Sequence, residues 1–206
     1  MPAISPETDK VAFVNDITSN ADLFLQPFRK DIGAVGKPQQ IFSAQHATQA
    51  SPTFSPDGKQ IAFVSNKDGL PRVYVMKVPE NRNKQKTMPT RLLTKRNVES
   101  TAPAWSPDGH KVAYCSKTNG IRQIWMINLE TGEEKQITNG PGHKENPSWA
   151  PNSLHLIYNS ASEESSELYL THIHHNRAVK ISLGSGEKRF PCWEPRINER
   201  KISSKL

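Results

Sequence analysis

The stretch STAPAWSPDGHKVAYCS, residues 100–116, decides the fold of this chain. It predicts two short strands joined by a tight turn at Ser106-Pro107-Asp108-Gly109, because proline suits the second position of a type I turn and glycine the fourth. The residues after the turn, Lys111 to Cys115, alternate between polar or small and larger apolar side chains, as in a half-buried strand. The stretch is therefore expected to form a β-hairpin.

Four further copies of this pattern recur along the chain. The turn prolines are Pro6, Pro56, Pro107, Pro151 and Pro195, and successive ones lie 50, 51, 44 and 44 residues apart. A period of about 40–50 residues is typical of a four-stranded propeller blade. A β-sandwich would not require the same proline-containing hairpin at a fixed spacing.

The repeats predict an all-β protein, a β-propeller with WD40-like repeats. Each complete repeat contains four short strands, so residues 2–48, 49–97, 98–142 and 143–186 are expected to form four blades. One further inner strand is expected at 187–195, followed by a polar tail at 196–206. The residue two positions before each turn proline is expected to pack between neighbouring blades. These residues are Ile4, Phe54, Trp105, Trp149 and Trp193.

The last copy, Phe190 to Pro195, lacks the other three strands of its blade. Unpaired sheet edges are a liability, and Pro2 to Ser5 already form the inner strand of the first blade. We therefore expect the partners of the last strand to lie upstream of Met1. On this interpretation, the chain is the C-terminal part of a longer propeller protein and Met1 is an internal start.

Composition narrows the classes of function. Sixteen prolines and eleven glycines among 206 residues fit a turn-rich β protein. The net charge of +7 comes from lysines and arginines scattered over loops without interleaved aromatic residues, which argues against nucleic-acid binding. No 18-residue apolar span or signal peptide is present, so membrane insertion is not expected. Cys115 and Cys192 are expected to be free, buried thiols.

These residues resemble the TolB family of the Tol–Pal envelope system, whose members have six-bladed propellers. The hairpins at 55–65 and 106–116 are similar to the family repeat, and Glu145 to Asn152 is similar to its last complete repeat. Arg189 to Pro195 resembles the end of the family propeller, although Glu194 stands where serine is usual. The match covers nearly the whole chain.

The resemblance implies a non-enzymatic, monomeric protein of the periplasm, without a cofactor. Such a protein binds the peptidoglycan-associated lipoprotein Pal at the mouth of its channel, and contacts TolA through an N-terminal region that this chain lacks. It supports outer-membrane integrity, envelope constriction at division and macromolecule import. The family's Pal contacts lie just before the inner-strand prolines, where loops converge on one face. By position they correspond to Thr48, Gln49, Ser51, Glu99, Ser100, Ala102, Lys144, Glu145 and Asn146.

Two other short motifs in the sequence suggest metal binding or nucleophilic catalysis. His172 and His174 lie on one side of a predicted strand, but no third ligand is assured, so surface histidines are favoured over a metal site. Gly184-Ser185-Gly186 lacks the spacing of a nucleophile motif. Two alternative classes stay open. The chain could be the propeller part of a prolyl-oligopeptidase-like serine peptidase, or a generic scaffold propeller with another partner.

Overall fold

A computed structural model describes residues 2–16, 20–79 and 88–193. These ranges contain strands and turns, and no helix in them is long and apolar enough to cross a membrane. The strands are β1 (Ala3–Ile4), β2 (Lys10–Asn15), β3 (Asp22–Arg29), β4 (Gly33–Ala34), β5 (Gln39–Phe42), β6 (Gln49–Phe54), β7 (Gln60–Ser65), β8 (Arg72–Lys77), β9 (Thr90–Leu92), β10 (Thr101–Trp105), β11 (Lys111–Thr118), β12 (Ile121–Asn128), β13 (Glu134–Gln136), β14 (His143–Trp149), β15 (His155–Ala161), β16 (Ser166–His172) and β17 (His175–Lys180).

The strands form four antiparallel sheets, each built from consecutive strands. We call them blades 1 to 4: β1–β5, β6–β9, β10–β13 and β14–β17. In blades 2 to 4 each strand pairs with the next along the chain, so each blade is a four-stranded meander. The all-β propeller class predicted from the repeats is confirmed. The exact domain boundaries and the number of blades in a whole ring stay predictions.

Blade 1 has an additional strand pairing at its outer edge. β4 pairs with the end of β3, while β5 pairs with its beginning. The Gln26 side chain donates hydrogen bonds to the carbonyls of Val35 and Gly36, at 3.0 and 3.3 Å. The segment between β3 and β5 is thus held by strand pairing and by side-chain hydrogen bonds.

The predicted type I turns are confirmed by their hydrogen bonds. The Gly58 N–H donates to the Ser55 carbonyl at 2.9 Å, and the Ser55 hydroxyl donates to the Asp57 carboxylate at 2.6 Å. Asp57 also accepts from the Lys59 N–H at 3.0 Å. These hydrogen bonds hold the pKa of Asp57 below its ordinary value, and the bond from Ser55 makes the largest contribution. The turn at 106–110 repeats the arrangement, so these aspartates have the backbone role that their position predicts.

The apolar core consists of three clusters, one between each pair of adjacent blades. Phe54 is in the cluster between blades 1 and 2, Trp105 between blades 2 and 3, and Trp149 between blades 3 and 4. All three are buried, as predicted. The prediction was wrong for Ile4, which is 67% exposed, because no sheet lies against the outer face of β1 in the described structure.

The predicted inner strand at 187–195 is not paired in any of the four sheets. Its described residues nevertheless lie against blade 4 as an inner strand would. The Lys188 N–H donates to the Ser166 carbonyl at 2.9 Å, and Phe190, before its proline, has a φ of 55°. Both features recur in the inner strands of other blades, as shown below. Residues 194–206, including Glu194, Pro195 and the predicted tail, lie outside the described residues.

The two cysteines are free, but only one is buried. Cys115 lies within the cluster between blades 3 and 4, where burial raises the pKa of its thiol to about 12. Cys192 is exposed, so the prediction of two buried thiols was wrong for this residue. The physical reason is that no further sheet covers its segment in the described structure.

Candidate partner-binding site at the channel mouth

The inner strands β6, β10 and β14 share a β-bulge that the sequence does not reveal. The pairing register shifts between Ala50 and Thr53, and at the corresponding positions of β10 and β14. In each bulge the residue before the proline has a positive φ: 47° at Ser51, 48° at Ala102 and 53° at Asn146. This conformation is uncommon for residues other than glycine, and outliers of this kind cluster at functional sites.

The three bulges meet at one cavity of about 420 Å³, which we call the channel. Ser51, Ala102 and Asn146 line it together with the prolines that follow them. Pro2 and Pro191 line the same cavity from the two ends of the arc of blades. The repeat therefore places one strained residue of each of blades 2 to 4 beside a shared space. The inner strands begin at one end of the channel, and we call this end the mouth.

Three of the nine predicted contact residues are buried. Gln49, Ser100 and Lys144 each lie three positions before an inner-strand proline and are 1%, 0% and 5% exposed. The N–H of Gln49 donates to the Ala21 carbonyl at 2.9 Å, and that of Ser100 to the Pro71 carbonyl at 2.7 Å. Through their backbone amides, Gln49 and Ser100 thus join each inner strand to the blade before it.

Two predicted acidic residues at the mouth form ion pairs with the β-hairpin of β11 and β12. Glu99 lies 3.2 Å from the ammonium of Lys117, and Glu145 lies 2.5 Å from the guanidinium of Arg122. The side chains of Glu99 and Glu145 remain 34% and 23% exposed. The mouth therefore presents paired charges of both signs rather than isolated carboxylates.

The basic partners Lys117 and Arg122 were not predicted as site residues. They flank Asn119-Gly120, and both turn residues have a positive φ, of 51° and 81°. Asn-Gly is a strong hairpin signal, so the sequence does reveal that the chain reverses here. It does not reveal that this hairpin ends beside two inner strands.

The remaining predicted residues are exposed or half-buried at the mouth. Thr48 is exposed, and its N–H donates to the Asn66 side chain at 2.6 Å. The Asn146 side chain donates to that of Asn159 at 2.8 Å, across the bulge of β14. Ser51 and Ala102 line the channel as described above. Six of the nine predicted residues thus lie on or near one accessible surface.

The histidines at the outer edge of blade 4 form a larger group than the predicted pair. His155, His172 and His175 are in register across three neighbouring strands, with ring centroids 4.8 and 4.7 Å from that of His172. The Nδ1 atom of His172 accepts a hydrogen bond from the His174 N–H at 3.1 Å. Among residues 2–16, 20–79 and 88–193, no three His, Cys, Asp or Glu side chains are arranged to hold a metal ion.

Repeated four-stranded sheets arranged around a shared channel define a β-propeller protein. The family profile described as the TolB beta propeller domain matches residues 1–197. The chain belongs to this family. It is 58% identical over 146 residues to a protein named TolB homolog from Protochlamydia amoebophila. The aligned region covers 71% of this chain and 31% of that protein.

Solved structures agree on the fold. The superposition with the crystal structure of TolB from Acinetobacter baumannii covers 95% of this chain and 46% of the TolB chain, with a TM-score of 0.76 and 20% sequence identity. The superposition with a puromycin-hydrolyzing peptidase from Mycobacterium tuberculosis covers 88% of this chain and 28% of the peptidase chain, with a TM-score of 0.66 and 13% sequence identity. The chain thus spans about a third of the length of the curated relative it matches.

Proposed function

We propose that this chain is the partner-binding propeller of a non-enzymatic, periplasmic TolB-type protein, and that it binds the lipoprotein Pal at the channel mouth. Family membership supports a role in the Tol–Pal system. The observation that carries the proposal is the shared bulge, which directs Ser51, Ala102 and Asn146 of consecutive blades into one cavity. Catalysis does not require such a repeated surface, whereas recognition of a protein partner does benefit from one.

The geometry of the mouth suits protein recognition. Short polar and apolar side chains line the channel, while the ion pairs of Glu99 and Glu145 lie at its rim. Protein interfaces have a similar organisation, with a buried centre and a polar rim. Because the bulges fix the backbone before a partner arrives, less conformational entropy is lost on binding.

The cellular roles follow from the same proposal. A propeller that holds Pal would support outer-membrane integrity, envelope constriction at cell division and macromolecule import. The proposal also includes contact with TolA. The chain itself is proposed to act as a monomer, without a cofactor.

One observation favours a second candidate, the propeller of a serine peptidase. The fold of the M. tuberculosis peptidase matches this chain with a TM-score of 0.66. At 13% identity this likeness concerns the fold alone, whereas the TolB homolog is 58% identical over the matched region. We therefore favour the binding protein.

The proposal is tested by placing an arginine at each of two positions of the mouth. Glu145→Arg breaks the pair with Arg122 and places two cations together, and Ser51→Arg extends a long side chain into the channel. We expect each variant to weaken binding of Pal from the same organism at least tenfold, or about 1.4 kcal/mol. Isothermal titration calorimetry on the purified protein measures the change.

Glu133→Arg is the matched control, because Glu133 is exposed in the outer turn of blade 3, away from the mouth. We expect wild-type affinity for this variant, and unchanged circular dichroism for all three. Equal affinity of Glu145→Arg, Ser51→Arg and the wild type would contradict the proposed site. No binding by the wild type would contradict the proposed partner.

A further inference from the structure

Lys144 is a buried lysine whose ammonium is held by backbone carbonyls. It is 5% exposed, and its Nζ donates to the carbonyls of Gly140 and Gly142 at 3.0 Å each, and also to that of Pro141. Desolvation by burial lowers the pKa of this lysine, and no carboxylate contributes to the shift. Three consecutive carbonyls thus surround one cation that belongs to the same segment of chain.

The same loop is joined to blade 3 by a second set of hydrogen bonds. The Gln123 side chain donates to the Gly140 carbonyl at 2.9 Å and accepts from the Thr138 hydroxyl at 2.7 Å. That hydroxyl accepts from the Ile124 N–H at 2.8 Å. The Lys144 ammonium therefore completes a network that runs from the third strand of blade 3 to the inner strand of blade 4.

The loop between these blades has a conformation that depends on its glycines. Gly140 and Gly142 have φ values of 82° and 79°. A Cβ atom at Gly142 would lie 3.1 Å from the Ala161 carbonyl oxygen, tighter than ordinary van der Waals contact. Close packing and positive φ bring successive carbonyls to one side, where they would repel one another without a cation between them.

The corresponding positions of blades 2 and 3 hold no such cation. Gln49 and Ser100 are buried like Lys144, yet the Gln49 amide and the Ser100 hydroxyl have no hydrogen-bond partner among the described residues. Lys144 is immediately followed by Glu145, which pairs with Arg122, and by the bulge residue Asn146. The blade 4 part of the mouth is therefore held by an internal cation, unlike the parts from blades 2 and 3.

We propose that Lys144 is a positioning residue: its ammonium neutralises the carbonyl dipoles of residues 140–142 and so holds Glu145 and Asn146 in the arrangement that a partner meets. The binding part of this inference rests on the proposed function, whereas the ordering of the loop does not. Lys144 itself does not touch the partner, since its side chain is buried.

The test removes the ammonium and then returns it as a small molecule. In Lys144→Ala we expect amide exchange of residues 140 and 142–146 to become about tenfold faster, because three carbonyls lose their shared hydrogen-bond donor. We expect Pal affinity to fall about three- to tenfold through lost pre-organisation. Propylammonium, which matches the deleted atoms, should restore both, whereas tetramethylammonium at the same ionic strength has no N–H to donate and should restore neither.

Two further variants keep the test decisive. Lys144→Met retains an apolar stem without the charge, so it should show the same faster exchange if Lys144→Ala does not fold. Lys135→Ala removes an exposed lysine of blade 3 and should leave exchange and affinity unchanged. Unchanged exchange in the Lys144 variants, or no recovery with propylammonium, would overturn the inference. A wild type that does not bind Pal would contradict only the proposed function, since the exchange measurements would still decide the role of Lys144.

Discussion

Ser51, Ala102 and Asn146 hold a backbone conformation that costs on the order of 1–3 kcal/mol for a residue with a Cβ atom. The cost recurs in blades 2, 3 and 4 at the same step of the inner strand, immediately before proline. A strain that is repeated in this way is a property of the repeat rather than a local irregularity. It provides the bend that turns each side chain into the channel.

Replacing Ala102 by glycine should relieve this strain, because glycine adopts a positive φ without a Cβ clash. We expect Ala102→Gly to stabilise the protein by about 1 kcal/mol, which raises the Tm by about 2–4 °C for a chain of this size. Ala104→Gly is the control in the same strand. Ala104 is not among the positive-φ residues, so this variant should lower the Tm. A lower Tm for both variants, measured by differential scanning calorimetry, would argue against strain at position 102.

The bulge also explains which site residues could be predicted from the sequence. The prolines locate the inner strands, but a residue before proline is normally extended, so nothing in the sequence indicates a positive φ there. Counting alternate residues back from Trp105 places Ser100 on the accessible side. The extra residue of the bulge shifts this alternation by one position, which turns Ser100 inward. Gln49 and Lys144 are buried for the same reason.

At the scale of single elements, the hairpin formed by β16 and β17 brings imidazoles together at the edge of blade 4. His155, His174 and His175 have ring centroids within 5.5 Å of that of His172. Desolvation, followed by the charges of these three neighbours, lowers the pKa of His172 from its ordinary value of 6.5. The hairpin is therefore more stable when the His172 ring is neutral.

This arrangement predicts a pH dependence of stability. Because the pKa of His172 is lower in the folded state, the unfolded state binds more protons, so stability is full above pH 6.5 and is lost as the pH falls below it. We expect the free energy of unfolding, measured by urea titration, to decrease from pH 7 to pH 5. The decrease should be smaller in His172→Gln. Identical pH profiles for the two proteins would contradict a role of His172.

The sequence predicts His172 and His174 on one side of a single strand, which was wrong: β16 ends at His172, and His174 lies in the turn before β17. The sequence also does not indicate the partners on other strands. Those partners depend on the pairing register, which shifts between Thr171 and His172. His155 is placed by the pairing of β15 with β16, and His175 by the pairing of β16 with β17. Strand positions are thus easier to predict than the cross-strand groups that they form.

At the scale of the whole molecule, the core is divided into three separate clusters. Each cluster joins only two neighbouring blades, so stability is expected to be a sum of blade and interface terms. The proline period and the strand patterns were sufficient to predict this organisation. The path of residues 188–193 was harder to predict from the sequence. It depends on the hydrogen bond from the Lys188 N–H to the Ser166 carbonyl, and therefore on the orientation of blade 4.

Trp149→Ala should loosen one interface while leaving a distant one intact. Truncation of a buried tryptophan costs about 3–5 kcal/mol, and Trp149 belongs to the cluster between blades 3 and 4. We expect faster hydrogen exchange in β11, β12 and β15 with unchanged exchange in β2 and β3. Phe54→Ala should give the reverse pattern, since Phe54 packs between blades 1 and 2. Uniform acceleration along the chain in either variant would indicate a single cooperative unit instead.

The hydrogen bond between blades at the third position before the inner-strand proline has a consequence for how such a chain diversifies. It uses the backbone N–H of Gln49, Ser100 and Lys188, and that amide is present whatever the side chain. Any substitution except proline is therefore compatible with this joint, so the three positions can carry a glutamine, a serine and a lysine while the blades stay connected in the same way.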